Sequence, residues 1–402
     1  MAFNCSLWLN VKAILDSFPF VYLILFLILA FLFYYFLEVV EKPVLQFSDG
    51  EFVRRVVANS PRLTRKYFPT FWCFNNHLML ALLLFREHRS EFFQYDKLEH
   101  LRMKDGGVTG LAWSNINGKK KTDSDPIAIV FHTISGDEQD VKSIVKAIRA
   151  QLNWASVVCI RRGHGNLPLY KPQINTMGSS SDLKEQLSYI KKKFPNSPLF
   201  GVGISAGSGL LARYLGESGT KSLLDAAVAI SPAYDIEKAF HRVHPVYSKI
   251  MGQRLINYFL KRHYETLSSL GGFQEVLESK TLGEFQDRLH RLSGFEDKAE
   301  YYLHSNPAVV MKNIRTPIMI LNAKDDPICV NQNVLENLHW LETLPNSIHV
   351  YTKRGSHIAY FEGWKAISWS NHLVCEYFKA AQDQLPKNKK KVSLGKKRNF
   401  KK

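Results

Sequence analysis

The sequence lacks several patterns that would assign it to a large functional class. Its cysteines number five and include no Cys-x-x-Cys pair, which excludes a disulfide framework and a cysteine-based metal site. It contains no glycine-rich phosphate loop and no spacing typical of metal ligands, so neither a cofactor nor a metal ion is expected. The scattered cysteines, which are compatible with a reducing compartment and do not exclude a lumenal one, are Cys5, Cys73, Cys159, Cys329 and Cys375.

Charged residues are absent from residues 18–37, a run rich in leucine, phenylalanine, isoleucine and tyrosine. As a helix this run is about 30 Å long, which matches the hydrocarbon core of a bilayer. A cleaved signal peptide has a shorter apolar region followed by small residues. The pattern therefore predicts an uncleaved, single-pass anchor behind an N-terminal tail, residues 1–17. The expected location is the endoplasmic reticulum or another endomembrane, although the run itself does not specify the organelle. A buried helix and an unusual signal peptide are the alternatives.

The flanks of this run favour a cytosolic position for the larger part of the chain. Lys12 lies on the short side, whereas Lys42, Arg54 and Arg55 lie on the long side, and cytoplasmic flanks carry the excess of basic residues. The glycosylation sequon that begins at Asn4 also lies on the short side.

Acidic residues are absent from residues 387–402, which hold nine Lys or Arg, about half of the formal net charge of +17. Such a run without apolar periodicity predicts a basic disordered tail, residues 385–402. Binding of this tail to anionic lipids is the alternative. Nucleic acid is not an expected partner, because no aromatic residues alternate with the basic ones.

From residue 126 to residue 384, short apolar runs alternate with helical periodicity, which predicts an α/β fold with a mostly parallel sheet flanked by helices. Residues 38–125 mix short helical stretches with aromatic turns and are predicted to be an extension that packs on this core. Asp182 is predicted to cap the second helix. The predicted strands are 126–131, 156–160, 198–204, 226–230, 317–321 and 348–351, and the first helix is 141–152.

Residues 232–315 interrupt the alternation with several amphipathic helices and no strand. They are predicted to be a helical lid over the carboxyl edge of the sheet, where ligands bind in open α/β folds. One stretch combines cations with many apolar residues, which favours a lid that faces lipid; a cap packed on the sheet is the alternative. The apolar residues are Phe240, Val246, Tyr247, Ile250, Met251, Leu255, Ile256, Tyr258 and Phe259.

A G-x-S-x-G pattern, Gly203 to Gly207, follows an apolar strand and opens a helical run. This strand–turn–helix context is that of a nucleophile elbow, in which Ser205 is the nucleophile and glycines relieve crowding. The N–H of Ala206 is then one expected oxyanion donor, and Ile134, in the loop after an earlier strand, is the other.

A nucleophilic serine requires a base, and the base requires an orienting acid. In this type of site the chain order is serine, acid, histidine. Asp325 and Asp326 follow the predicted strand 317–321, and His357 follows the last predicted strand. The order and positions predict a triad of Ser205, His357 and one of the two aspartates.

The sequence resembles membrane-anchored α/β-hydrolases that include mammalian abhydrolase-domain lipid hydrolases, yeast medium-chain ethyl-ester synthases and plant embryogenesis-associated proteins. The resemblance implies the α/β-hydrolase fold and assigns the acid to Asp326. Two departures are His132-Thr133, where the family has Pro-Gly at the oxyanion loop, and Ala112, where it often has Asp. The similar stretches begin at Pro69, Arg161, Gly201, Ser231, Leu321 and Thr352.

The expected function is that of a membrane-bound serine hydrolase that cleaves acyl esters of lipids, either medium-chain esters or phospholipids, through an acyl-enzyme. Its expected partners are the lipid ester and the bilayer. An acyltransferase that passes the acyl group to an alcohol, and a non-catalytic lipid-binding scaffold, are the alternatives.

Overall fold

The computed structural model describes residues 4–116, 124–175 and 178–385. These residues form a nine-stranded sheet with helices on both faces, and a separate two-stranded hairpin. The strands of the large sheet are β1 (Val44–Phe47), β2 (Lys97–Arg102), β3 (Val108–Ser114), β4 (Ile127–Phe131), β5 (Ala155–Ile160), β6 (Leu199–Ile204), β7 (Ala226–Ile230), β8 (Ile318–Ala323) and β9 (Ser347–Thr352), and the hairpin strands are β10 (Phe361–Glu362) and β11 (Ile367–Ser368).

The strand order is β1-β9-β8-β7-β6-β4-β5-β3-β2. Strands β4 to β9 are parallel to one another, and β1, β2 and β3 pair antiparallel at the two edges. The predicted mostly parallel sheet is therefore confirmed. From β4 the chain first adds β5 on one side and then β6 on the other, so a topological switch point lies between β4 and β6, where such sheets bind ligands.

Strands β1, β2 and β3 were not predicted. They lie within residues 38–125, so this segment contributes to the sheet itself and does not only pack on it. Edge strands that face solvent carry polar and charged residues, as β2 does in Lys97–Arg102, and therefore lack the apolar run that marked the central strands.

Helices cover both faces of the sheet and form the segment between β7 and β8. Short 3₁₀ turns lie at Gly219–Lys221 and Arg291–Ser293, and π-helical turns at Tyr35–Val39 and Ile256–Lys261. The helices are α1 (Asn4–Tyr34), α2 (Glu51–Ala58), α3 (Pro61–Thr64), α4 (Asn76–Arg89), α5 (Lys142–Leu152), α6 (Ser180–Lys193), α7 (Ala206–Ser218), α8 (Ile236–His241), α9 (Pro245–Leu255), α10 (Tyr264–Leu267), α11 (Phe273–Leu277), α12 (Leu282–Arg288), α13 (Lys298–Ser305), α14 (Ala308–Met311), α15 (Asn331–Leu335), α16 (Leu338–Leu341) and α17 (Trp369–Gln384).

The predicted capping role of Asp182 is wrong. Helix α6 begins at Ser180, one turn earlier than predicted, so Asp182 lies within its first turn. Its carboxylate instead accepts hydrogen bonds from Arg162 Nε and Asn175 Nδ2, both at 2.7 Å. Asp182 therefore forms an ion pair with the buried Arg162 guanidinium and does not cap the helix.

Helix α1 begins at Asn4, so most of the segment predicted as an N-terminal tail is helical. The apolar stretch Phe20–Val39, which continues from α1 through the π-helical turn, is by length and composition long enough to cross a membrane, and its bounds lie within two residues of the predicted span. Of the predicted basic tail, residues 385–402, all but Leu385 lie outside the described residues.

The segment between β7 and β8 consists of α8 to α14 and contains no strand, as predicted. We call residues 232–315 the cap. Its apolar side chains pack mainly on one another and on the loops at the carboxyl edge of the sheet. Of those predicted to face lipid, Val246 and Ile250 are exposed, whereas Phe240, Leu255, Ile256 and Phe259 are buried. These four therefore do not form a surface that faces a bilayer, and whether they contact an acyl chain stays a prediction.

Candidate active site

Ser205 is the single residue between β6 and α7 and forms a sharp turn. Its backbone has φ 54° and ψ −118°, a region that residues other than glycine rarely adopt. The turn is held by the Ser205 N–H, which donates to the Ile230 carbonyl oxygen at 2.9 Å. Strain of this kind persists only where surrounding contacts impose it, and it commonly marks a functional residue.

The two glycines of the turn are required by close backbone contacts. A Cβ atom at Gly203 would lie 2.5 Å from the carbonyl oxygen of Gly207, and one at Gly207 would lie 2.2 Å from that of Phe131. Any larger residue would push α7 away from β4 and β6. The predicted elbow geometry of Gly203 and Gly207 is therefore present.

The structure brings Ser205, His357 and Asp326 into one hydrogen-bonded chain. His357 Nε2 lies 2.8 Å from Ser205 Oγ, and His357 Nδ1 lies 2.9 Å from Asp326 Oδ2. Because an ionised carboxylate only accepts, Nδ1 carries the proton and Nε2 is free to accept one from the serine hydroxyl. Both His357 and Asp326 are buried, so the chain is shielded from water.

The two neighbouring aspartates have separate roles. Asp326 Oδ1 accepts hydrogen bonds from the N–H groups of Ile328 and Cys329, each at 2.8 Å, which fixes the carboxylate against His357. Asp325 turns away and accepts from the Ser356 N–H at 2.8 Å, so it holds the loop that carries the histidine. Burial raises the pKa of Asp325 to about 6.

Asp326, Cys329 and His357 lie close enough together to suggest a metal site. Both carboxylate oxygens of Asp326 already accept hydrogen bonds. The Cys329 Sγ lies 3.3 Å from the Ser231 carbonyl oxygen, to which it donates, and burial raises the pKa of this thiol well above its usual value. A protonated thiol is a poor ligand, so this set fits a hydrogen-bonded triad and not a cation.

Comparison with known proteins assigns the family. Residues 129–362, more than half of the chain, match the family described as serine aminopeptidase S33, a hydrolase family. The chain belongs to the S33 hydrolase family. The match runs from β4 to β10 and so includes the elbow, both aspartates and His357.

Curated relatives of this S33 hydrolase carry lipid-related and developmental names. It is 28% identical to the embryogenesis-associated protein EMB8 of Picea glauca over 71% of this chain and 66% of the relative. It is 24% identical to the monoacylglycerol lipase of Saccharomyces cerevisiae (65% and 61%) and 25% identical to human phospholipase ABHD3 (85% and 85%). The chain thus spans slightly less than two thirds of the first two relatives. The resemblance to abhydrolase-domain lipid hydrolases and embryogenesis-associated proteins is confirmed.

The loop after β4 carries the second predicted oxyanion donor, Ile134, and Arg161 binds the backbone of this loop. The Arg161 guanidinium donates to the carbonyl oxygens of Thr133 at 2.5 Å and Ile134 at 3.1 Å. In a trans peptide the C=O and the following N–H point in opposite directions. By binding the Thr133 carbonyl, Arg161 therefore turns the Ile134 N–H away from itself. Ala206 is the first residue of α7, so its N–H has no acceptor within the helix.

His132, the first residue after β4, completes this support. Its Nε2 accepts the Arg161 backbone N–H at 3.2 Å, so its Nδ1 carries the proton that it donates to the Thr133 carbonyl at 2.9 Å. Burial, with Arg161 adding to it, lowers the pKa of His132 well below its usual range and keeps the ring neutral. No local pattern in the sequence predicts this role for Arg161, because a cation without a nearby carboxylate has no recognisable signature.

Two cavities approach the site. A cavity of about 50 Å³ lies under the cap, between Ile134, Arg161 and Phe259. A larger one, of about 420 Å³, reaches Thr133, Ile204 and Ile358, next to the oxyanion loop, Ser205 and His357. Residues of α4, α5, α17 and the β10–β11 hairpin line the larger cavity. Both cavities therefore border segments that adjoin the triad.

Proposed function

We propose that this S33 hydrolase is a membrane-bound serine hydrolase that cleaves acyl esters of lipids. The observation that carries the proposal is the buried hydrogen-bonded chain from Ser205 through His357 to Asp326 at a strained elbow. The names of two relatives, a monoacylglycerol lipase and a phospholipase, support lipid esters as the substrate class.

In the first half of the proposed reaction, Ser205 Oγ attacks the ester carbonyl carbon while His357 Nε2 takes the hydroxyl proton. The carboxylate of Asp326 stabilises the imidazolium that forms. The carbonyl oxygen becomes an oxyanion, which the N–H groups of Ala206 and Ile134 stabilise. Collapse breaks the bond to the alcohol, which leaves with the proton from His357, and the acyl group stays on Ser205.

In the second half, a water molecule gives its proton to His357 Nε2 and attacks the acyl carbon. The same oxyanion donors act again, the fatty acid leaves, and the proton returns to Ser205 Oγ. Every proton in the cycle moves between Ser205, His357, water and the alcohol. The triad therefore needs no metal or cofactor.

The proposed site of action is a bilayer that α1 crosses. The support is the apolar run Phe20–Val39, which is uncharged as far as Leu37 and most of which is exposed in the folded chain. An exposed apolar helix of this length is unfavourable in water and favourable in lipid. Alkaline carbonate extraction should leave the chain in the membrane pellet with its N-terminus intact; release of a form that lacks the first forty or so residues would identify α1 as a cleaved signal.

The decisive test of the chemistry is labelling by a fluorophosphonate, which reacts with activated serines. Ser205→Ala should abolish labelling and hydrolysis. Ser208→Ala is the matched control, because Ser208 is a buried serine of the same elbow whose hydroxyl donates to the Ser205 carbonyl. Labelling that persists in Ser205→Ala, or that is lost equally in both variants, would contradict the assignment.

The substrate class requires a second experiment. The purified full-length chain and Ser205→Ala are incubated with a total lipid extract, and the products are identified by mass spectrometry. Free fatty acids that match one lipid class should appear with the wild type alone. Fluorophosphonate labelling without release of any fatty acid would separate an active serine from a lipid esterase.

A further inference from the structure

The end of α1 is docked firmly on the folded body. Tyr35 and Val39 are buried, and the Tyr35 hydroxyl donates to the Pro69 carbonyl oxygen at 2.6 Å. The Lys353 ammonium pairs with Glu38 at 3.2 Å and with Glu41 at 3.0 Å. The apolar helix therefore reaches the hydrolase body without a flexible linker, and its position fixes the position of the body.

Phe74, in the loop before α4, shows how deep part of the body lies. Its ring lies 6.0 Å from Phe31, 6.1 Å from Tyr34 and 6.0 Å from Tyr35, measured between ring centres. At 1.5 Å per residue, Phe31 is about 12 Å along the helix from the end of the span at Val39. If α1 crosses the bilayer, Phe74 lies level with the last part of the span, so the neighbouring surface meets the lipid headgroups.

That surface is apolar and aromatic. It comprises the loop next to Phe74, the outer side of α4 and the β10–β11 hairpin, and these parts are joined to one another. The Phe71 and Trp364 rings lie 5.2 Å apart, and Trp72 Nε1 donates to the Trp364 carbonyl oxygen at 2.9 Å. Arg86 of α4 donates to the hairpin carbonyl of Lys365 at 2.8 Å. We call its exposed apolar residues the anchor-side face: Phe71, Trp72, Phe85, Trp364 and Ile367.

Its chemistry fits a membrane interface. Tryptophan is enriched at the headgroup level, because its ring prefers the apolar side and its N–H the wet side. Trp364 is 71% exposed, and the Arg89 guanidinium lies over the Phe85 ring at 4.7 Å, where it can reach a lipid phosphate. A partner protein would not explain why this face adjoins the end of the apolar helix.

The face adjoins the larger cavity, to which it contributes Ile367. Leu83 of α4 and Phe361 of the hairpin also line this cavity, as do Ile204, which precedes Ser205, and Ile358, which follows His357. We propose that the anchor-side face rests in the headgroup layer and that the acyl chain of a membrane lipid passes from the bilayer between α4 and the hairpin into this cavity. The proposal rests on the proposed function, since it supplies the route by which the lipid ester reaches Ser205.

The first measurement tests docking independently of catalysis. The full-length chain is reconstituted into phosphatidylcholine vesicles with an environment-sensitive fluorophore on a cysteine introduced by Trp364→Cys or, as a control, Leu335→Cys. Leu335 is also an exposed apolar residue, 53% exposed, but it lies on α15, whose Val334 packs in a different hydrophobic cluster from the hairpin residue Phe361. Nitroxide-labelled lipids should quench the probe at position 364 and leave the one at position 335 bright. Equal quenching at the two positions would overturn the proposal.

The second measurement tests the route. The double variant Phe85→Ser/Trp364→Ser should lower hydrolysis of long-chain lipid in vesicles by about tenfold or more, since about 1.4 kcal/mol of lost interfacial burial suffices for a tenfold change. Its hydrolysis of a short soluble ester should be unchanged, and Leu335→Ser should change neither rate. Equal loss on both substrates would overturn the proposal. If the wild type itself cleaves no ester, the proposed function fails, and the quenching result still decides whether the face docks.

Discussion

At the carboxyl edge of the sheet, the side chains of the triad point toward one another, and each follows a strand whose place in the fold is set by chain order. In the cap, apolar residues that look alike in the sequence differ in their burial. Ile250 is exposed, whereas Phe259 packs between the His164 and His263 rings. A residue that follows a central parallel strand has its location fixed by topology. A residue on a cap helix has its orientation fixed by packing partners far away in the chain.

This difference predicts that substitutions at the edge change turnover more than stability, and that substitutions in the cap do the reverse. The largest effect is expected for Asp326→Asn. An asparagine leaves His357 in the wrong tautomer, which costs about 10⁴ in kcat in the serine-protease example. Asp325→Asn keeps an acceptor for the Ser356 N–H and should cost less than about tenfold. Steady-state kinetics on a soluble ester decide, and the opposite ranking would assign the acid to Asp325.

The cap provides the converse case. Phe259→Ala should lower the free energy of unfolding by about 3–5 kcal/mol, because it removes a buried ring at the contact between the cap and Gly163. Ile250→Ala, at an exposed site, should change it by less than about 0.5 kcal/mol. Thermal unfolding of both variants in the same detergent measures the difference. Similar melting temperatures would mean that Phe259 does not hold the cap.

Arg161 lies between the carboxyl edge of the sheet and the cap, where it lines a cavity with Phe259. Arg161→Met should lower kcat by about 10²-fold with little change in KM, because the Ile134 N–H loses the contact that orients it. Arg161→Lys should restore part of this loss, since one ammonium can still bind the Thr133 carbonyl. Arg213→Met is the matched control: Arg213 is also buried and donates to two carbonyl oxygens, those of Leu303 and Asn306. It should lower stability and leave kcat unchanged.

The smallest effect concerns pH. The folded-state pKa of Asp325 is raised from 3.8 to about 6 by burial, so the folded state holds this proton more tightly than the unfolded chain does. The protonated group stabilises the fold at low pH, and this contribution is lost as pH rises from about 4 to about 6. Asp325→Asn should reduce the change in the free energy of unfolding between pH 4 and pH 7 by on the order of 2 kcal/mol. Unfolding curves at pH 4 and pH 7 test this, and identical pH dependence in both proteins would contradict it.

The sequence predicted the parts of the structure that local signals encode. The run before Ser205 and the glycines around it define the elbow, and strand order then leaves little choice for His357. Three antiparallel strands were missed. Strand β2 lies at the edge of the sheet and is mostly polar, whereas β1 and the buried β3 lie outside the regular alternation of strand and helix that marked the parallel strands. The burial of Phe259 was not predicted, because periodicity shows that a helix has an apolar side but not what that side contacts. Arg161 has no local signature, since its acceptors are backbone carbonyls nearly thirty residues earlier in the chain.

The docking of Tyr35 and Val39 on the body has a consequence for how such an enzyme would search for substrate. A hydrolase on a long flexible linker can take up many positions and orientations above the membrane, and in most of them its active site does not face the lipid. If α1 spans the bilayer as proposed, the ion pairs of Lys353 and the Tyr35–Pro69 hydrogen bond would let the body rotate about the bilayer normal but leave it little freedom to tilt. Its encounters with lipid would then be two-dimensional collisions at one constant height.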